Sequence, residues 1–296
     1  MVSLETAHNL ELSTSFIDES FLSSDTVNSY QLILHIGLET INLAVKDLKV
    51  DKFIALETFS CTNVYSFQQM FIDEWKSLKE KSNLLKHKYK SLVCIPVNNK
   101  STLVPNPVYD DSKAKSLLEL NVQLESDDTI MSDQLIGVDA INIYAVPSIL
   151  LDKLKAYSSS FHCFHFSSSL IEELLLDNKN KPDEKLYVHI QKSQVELLFV
   201  KEKKLTFYNS FNYRANEDLA YFVLFACEQL QLHPESLKLE IFGEVEKHSD
   251  VHKLLRKYVR NIEFGSRNDT CDFSYQLQTL PKHFYITLFS NFYSYS

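Results

Sequence analysis

The sequence predicts an α/β protein built twice, with mixed sheets flanked by helices. Three observations carry that prediction. First, Leu32–Val45 reads as strand, tight turn and strand, and Leu186–Phe199 aligns with it without a gap, 154 residues later, so that His35 and Ile36 fall on His189 and Ile190. Second, each copy continues into a third strand-like run, Lys52–Phe59 and Lys204–Phe211, so each unit opens with a three-strand meander. An internal repeat of this size points to a duplicated domain. Third, helical periodicity follows each meander, which suits helices laid on both faces of mixed sheets.

Taken in order, residues 1–28 are polar and serine-rich and read as a loose arm or a short edge strand. Strands are expected at 30–37, 40–47 and 52–59. Ser66 reads as an N-cap for a helix carrying Phe67, Met70, Phe71, Trp75 and Leu78 to about Leu85. Ser91–Pro96 is a short, wholly apolar strand closed by proline, the pattern of a buried parallel strand. Residues 98–110 read as loop around one brief strand, and 111–120 as a modest helix. A strand pair is expected at 134–138 and 140–146, then a helix over 149–157. Phe161–Phe166 reads as a strand and 167–176 as a helix.

The stretch 177–184 is the one convincing linker. The second meander follows, then a helix over 217–230, a strand over 237–242 and a helix over 251–259. Residues 262–278 are irregular with room for one strand. Pro281 opens an aromatic-rich helix to about Phe292.

At 296 residues the chain is long for one core and comfortable for two. Its composition, 45% apolar and 23% charged, is that of a globular protein. A net charge of −9 with interspersed bases leaves no footprint for nucleic acid or an anionic membrane. No run approaches the ~20 apolar residues that cross a bilayer. Residues 1–28 lack the pattern of a signal peptide. Five unpaired cysteines, mostly in apolar runs, suit a reducing cytoplasm.

His35 and His189 are candidates for a metal or phosphate between two lobes; the alternative is that each bonds a carbonyl inside a core. His162, Cys163 and His165 do not make a metal centre, because alternation along a strand leaves only two of them on one face. Cys61 has no base or acid arranged beside it. The adjacent carboxylates Glu172–Glu173 and Asp127–Asp128 read as solvated surface, and the basic helix over 247–260 as a solubility face. The C-terminal aromatics, Phe284 to Tyr295, read as packing back on the first half, with a partner-binding face as the alternative.

The order of elements resembles the actin, hexokinase and heat-shock-chaperone superfamily, and within it the PilM and FtsA branch. There, a strand ending in proline precedes a small inserted subdomain, as Ile95-Pro96 does here. It also resembles a Bacteroidota family described as actin-like ATPases. The resemblance implies a two-lobed, ribonuclease H-like duplicated fold with a small α/β subdomain inserted in the first lobe. It implies an arm over 1–28, a first lobe over 29–176 with the insertion at about 98–147, the linker, and a second lobe over 185–296 with a C-terminal helix. If a nucleotide binds, the positions matching the superfamily's loops are His35, Gly37 and Glu39 in the first turn, His189, Gln191 and Lys192 in the second, and Gly243 on the adenosine side.

Those loops depart from the superfamily pattern. Aspartates that organise Mg²⁺ and its waters stand as His35 and His189, and imidazole is a poor substitute for oxygen ligands. The chain has only four glycines, so little backbone is free to wrap phosphate. The expectation is therefore a non-catalytic cytoplasmic interaction or assembly module with a protein partner, no cofactor and no metal site. ATP with Mg²⁺ in unconventional loops is the alternative.

Overall fold

The computed structural model describes residues 9–62, 66, 74–158, 160–178, 184–268 and 270–290. The first meander forms β2 (Tyr30–Ile36), β3 (Thr40–Asp47) and β4 (Lys52–Thr62). Two parallel strands extend it beyond β2, namely β5 (Ser91–Pro96) and β9 (Ser160–Cys163). At the other edge β1 (Asn9–Ile17) pairs antiparallel with β4, so residues 9–17 are a nine-residue edge strand rather than a loose arm. The short β15 (Asp272–Phe273) also pairs with β4.

The second meander is β10 (Lys185–Ile190), β11 (Gln194–Lys201) and β12 (Lys204–Asn212). It is extended in parallel by β13 (Lys238–Gly243) and β14 (Asn261–Phe264). The spatial orders β4-β3-β2-β5-β9 and β12-β11-β10-β13-β14 are the same topology in two separate sheets. The turns repeat too. Gly37 N donates to Thr40 O as Gln191 N does to Gln194 O, each at 2.9 Å. Cys61 N reaches Glu39 O as Tyr213 N reaches Ser193 O.

Between β5 and β9 lies the insertion: β6 (Ser101–Pro105), β7 (Asp128–Gln134), β8 (Ala140–Pro147) and a helix over Ala114–Glu119. Its sheet order is β6-β8-β7, over a small core of Val104, Leu118, Ile141, Ile143 and Ala145. The expected strand at 134–138 lies earlier, at 128–134. The register explains this: Thr129 to Gln134 each face a β8 residue, and 135–139 make the connection.

Side-chain alternation divides each sheet between two cores. On β2, Leu32, Leu34 and Ile36 enter the outer core of the first lobe, while Ile33 enters a core shared between the lobes. His35 has the parity of Ile33. On β10, Leu186, Val188 and Ile190 face outwards and Tyr187 inwards, which sends His189 to the same interface. Asn42 on β3 and Glu196 on β11 follow by the same rule.

The C-terminal segment closes this shared core. Tyr285, Ile286, Leu288 and Phe289 are buried in it, Phe289 standing edge-on to Phe53 at 4.9 Å between ring centres. Residues 281–290 do this as successive turns, correcting the expected helix. Consecutive apolar residues wedged between two sheets must point several ways, which one helical face cannot provide. Phe292, Tyr293 and Tyr295 lie outside the described residues, as do Phe67, Met70 and Phe71 of the expected helix after Ser66; its described part is Trp75–Lys81.

Three carboxylates read as solvated surface are buried. Glu172 accepts from the backbone N–H groups of Ile136 and Gly137, pinning the insertion to the helix Phe166–Asn178. Glu173 accepts from Ser290 Oγ at 2.6 Å, pinning the C-terminal segment to that helix. The Asp128 side chain is 1% exposed and meets Lys100 at 2.7 Å. Local sequence does not reveal this burial, because the partners of Glu172 and Glu173 and the Lys100 partner of Asp128 lie 28 or more residues away.

Candidate functional site

The lobes meet around a cavity of about 600 Å³ at the C-terminal ends of β2 and β10. Of the seven positions singled out, His35, His189, Gln191, Lys192 and Gly243 line it together. Gly37 and Glu39 lie instead on a smaller space of about 240 Å³, which Gln191 and Lys192 also reach.

The two histidines do not form a pair. Phe166, the first residue of the helix Phe166–Asn178, stands edge-on to both, 5.8 Å from the His35 ring and 5.1 Å from His189. Burial drives both imidazoles down to a pKa of about 3, the neighbouring His189 adding to the effect at His35. They are neutral at physiological pH. His35 bonds the Thr287 backbone through one nitrogen, while its Nε2 and the His189 Nδ1 find no hydrogen-bond partner.

The turns close on one another. Ser193 Oγ donates to the Glu39 carboxylate, and these two residues occupy equivalent positions of the repeat. The acid nearest the first turn is thereby engaged. Glu196 is buried beneath the second turn and accepts from Gln194, Tyr208 and Ser210, with its pKa raised by burial. Glu244 accepts from the Tyr285 hydroxyl. Among the described residues no three His, Cys, Asp or Glu side chains converge as a metal centre would require.

The glycines differ in kind. Gly243 has φ +98°, and a Cβ there would stand 2.0 Å from Ile190 O, so only glycine fits between the ends of β10 and β13. A Cβ on Gly37 would make ordinary contacts at 3.4 and 3.5 Å. Gly37 N–H is already spent on Thr40, as Gln191 N–H is on Gln194. Among the described residues Lys192 is the one Lys or Arg on the lining, and the Glu39 and Glu244 carboxylates are already engaged, a set poorly suited to a magnesium-bound triphosphate.

A buried polar network lies beside the cavity and had no legible signal in the sequence. Asp133 accepts from Ser168 Oγ, His165 N and Tyr144 OH, and burial lifts its pKa to about 6. His165 bonds Ser167 and Asn98, and Asn142 donates to Ser167 and Ser168. β9 ends at Cys163, so His165 leaves the strand and is not a ligand beside that thiol. These serines, the histidine and the aspartate are 0–6% exposed, and the network joins the insertion to the lobe. Phe166, Asn42, Tyr285 and Thr287, also lining the cavity, come from segments that only folding brings together.

Duplicated meanders, parallel extensions and an insertion after the proline-ended strand define an actin-like fold. The chain belongs to the family "Protein of unknown function (DUF3822)", whose model matches residues 19–262. A Bacteroides thetaiotaomicron protein of actin-like ATPase fold and unknown function superposes with a TM-score of 0.72 at 17% identity, over 85% of this chain and 95% of that one. A chain of the PilM–PilN type IV pilus biogenesis complex superposes at 0.59 with 14% identity, over 88% and 96% respectively. No curated protein matches in sequence.

Proposed function

We propose that this protein is a non-catalytic actin-fold module that works in the cytoplasm by binding a protein partner or joining an assembly, without a nucleotide. One observation carries the reading: the two turns that would grip a nucleotide are bonded to each other through Glu39 and Ser193. Neutral His35 and His189 stand where the superfamily resemblance implies acids, and the glycine cradle is absent. An excluded triphosphate would otherwise lose its hydration against too few donors. That the PilM fold occurs in an assembly complex supports the choice of a protein partner. No helix among the described residues is long and apolar enough to cross a membrane.

The second reading, an ATP-binding protein with unconventional loops, is favoured by the cavity volume and by the positive-φ Gly243 at its edge. Calorimetry with Mg-ATP on the wild type and on Glu39→Ala separates the two. The module reading expects no binding heat and turnover equal to a buffer blank. Micromolar binding abolished by Glu39→Ala would overturn it. Thermal shift gives an independent measure, since ligand at 100 times its Kd adds about 2.7 kcal/mol.

A further inference from the structure

The two sheets share a topology but not an edge. In the first lobe the outer edge of β4 is covered by β1, over nine residues. The equivalent strand of the second lobe, β12, is an end strand of its sheet, and no described strand covers it. Proteins commonly guard such an edge with charge, proline or a bulge. β12 carries both a charge and a register shift at its start, Lys204 and the unpaired Thr206 opposite Phe199–Val200, but from Phe207 to Asn212 it pairs in regular register and has neither a charged residue nor a proline.

The ladder shows which groups face outwards. Tyr213 N bonds Ser193 O, so Phe211 and Asn209 also turn their backbone groups to β11, and Tyr208 and Ser210 turn theirs away. The Ser210 N–H confirms this, because it is capped by the Asn209 side-chain carbonyl at 2.9 Å. β6 is likewise an end strand, of the insertion's sheet. Ala145 N bonds Lys100 O, so residues 100, 102 and 104 face β8, while Ser101 and Leu103 present N–H and C=O on the open side.

These two open edges line one groove of about 720 Å³, with residues 99–103 on one wall and 208–210 on another. Among the described residues its one charged lining residue, Lys100, is already paired with Asp128 and Glu125. A wall of backbone donors and acceptors recognises an extended chain, and the absence of free charge selects none.

We propose that this groove takes an extended, uncharged segment of a partner protein, added as a strand between β6 and β12. The occupant's being a protein rests on the interaction-module reading above; the strand-addition geometry does not.

The test uses the full chain and a phage-displayed library of random nonapeptides. Selected peptides should slow amide exchange in both 101–105 and 208–212. Ser101→Pro removes one open N–H at the first residue of β6 and should weaken those peptides about tenfold, the loss of one hydrogen bond. Asn209→Ala uncaps Ser210 N–H on an exposed position and should tighten them several-fold. Two variants with opposite signs separate edge pairing from general loss of folding. Failure to enrich any peptide, protection confined to other segments or to one strand only, or indifference to both variants would overturn the proposal. Nucleotide binding by calorimetry would overturn the module reading alone and leave these exchange results unaffected.

Discussion

Acidification should unfold this protein through its buried histidines. His35, His165 and His189 each have a folded pKa of about 3, because burial penalises the imidazolium. In the unfolded chain each titrates near 6.5. Between those values the unfolded state binds the extra proton, so stability falls as pH falls. At pH 5 each histidine costs about 2 kcal/mol, and the three together about 6. Asp133 acts in the opposite sense, since its raised pKa of about 6 lets the folded state take up the proton first. It returns about 1 kcal/mol over the same interval. Glu196 and Glu244, also raised by burial, shift in that same direction. The histidines win, and the net loss is a large share of the 5–15 kcal/mol that holds a domain folded. Urea unfolding followed by far-UV circular dichroism at pH 7 and pH 5 reads this directly. The midpoint should drop sharply at pH 5, and His165→Gln should lessen the drop by about 2 kcal/mol. A midpoint unchanged or higher at pH 5, or a His165→Gln response equal to wild type, would refute the reasoning.

Gly243→Ala should cost more than about 2 kcal/mol in urea unfolding, from positive φ and a Cβ driven into Ile190 O, while Gly37→Ala should stay within about 1 kcal/mol. Glu57, fully buried, accepts from Ser82 Oγ and from the N–H groups of Asn83 and Leu84. Glu57→Ala should therefore cost about 3 kcal/mol by orphaning those donors, seen as a lower Tm. Phe289→Ala should cost about 3–5 kcal/mol by opening the shared core against Phe53 and Phe273, and should speed proteolysis at the C-terminus.

The repeat was legible because strand side chains alternate with a period of two, so a duplicated meander preserves its apolar positions even as other residues drift. From that came the two meanders, while an apolar run closed by Pro96 marked the parallel strand and the superfamily resemblance exposed the departure of both turns from an acidic, glycine-rich pattern. The sequence also placed His35 and His189 at matching positions, and parity alone sends both to one interface. Tertiary structure decided what they meet there. Phe166 stands edge-on to both rings, Thr287 arrives from the C-terminal segment, and Ser193 closes on Glu39 across 154 residues. Burial of Glu172, Glu173 and Asp133 was equally hidden, since a carboxylate is buried only where distant donors converge, and no local pattern records that convergence. The C-terminal turns belong to the same class. Local spacing favoured a helix after Pro281, but the wedge between two sheets demanded side chains pointing in several directions, and burial of Tyr285, Ile286, Leu288 and Phe289 outweighed the local preference.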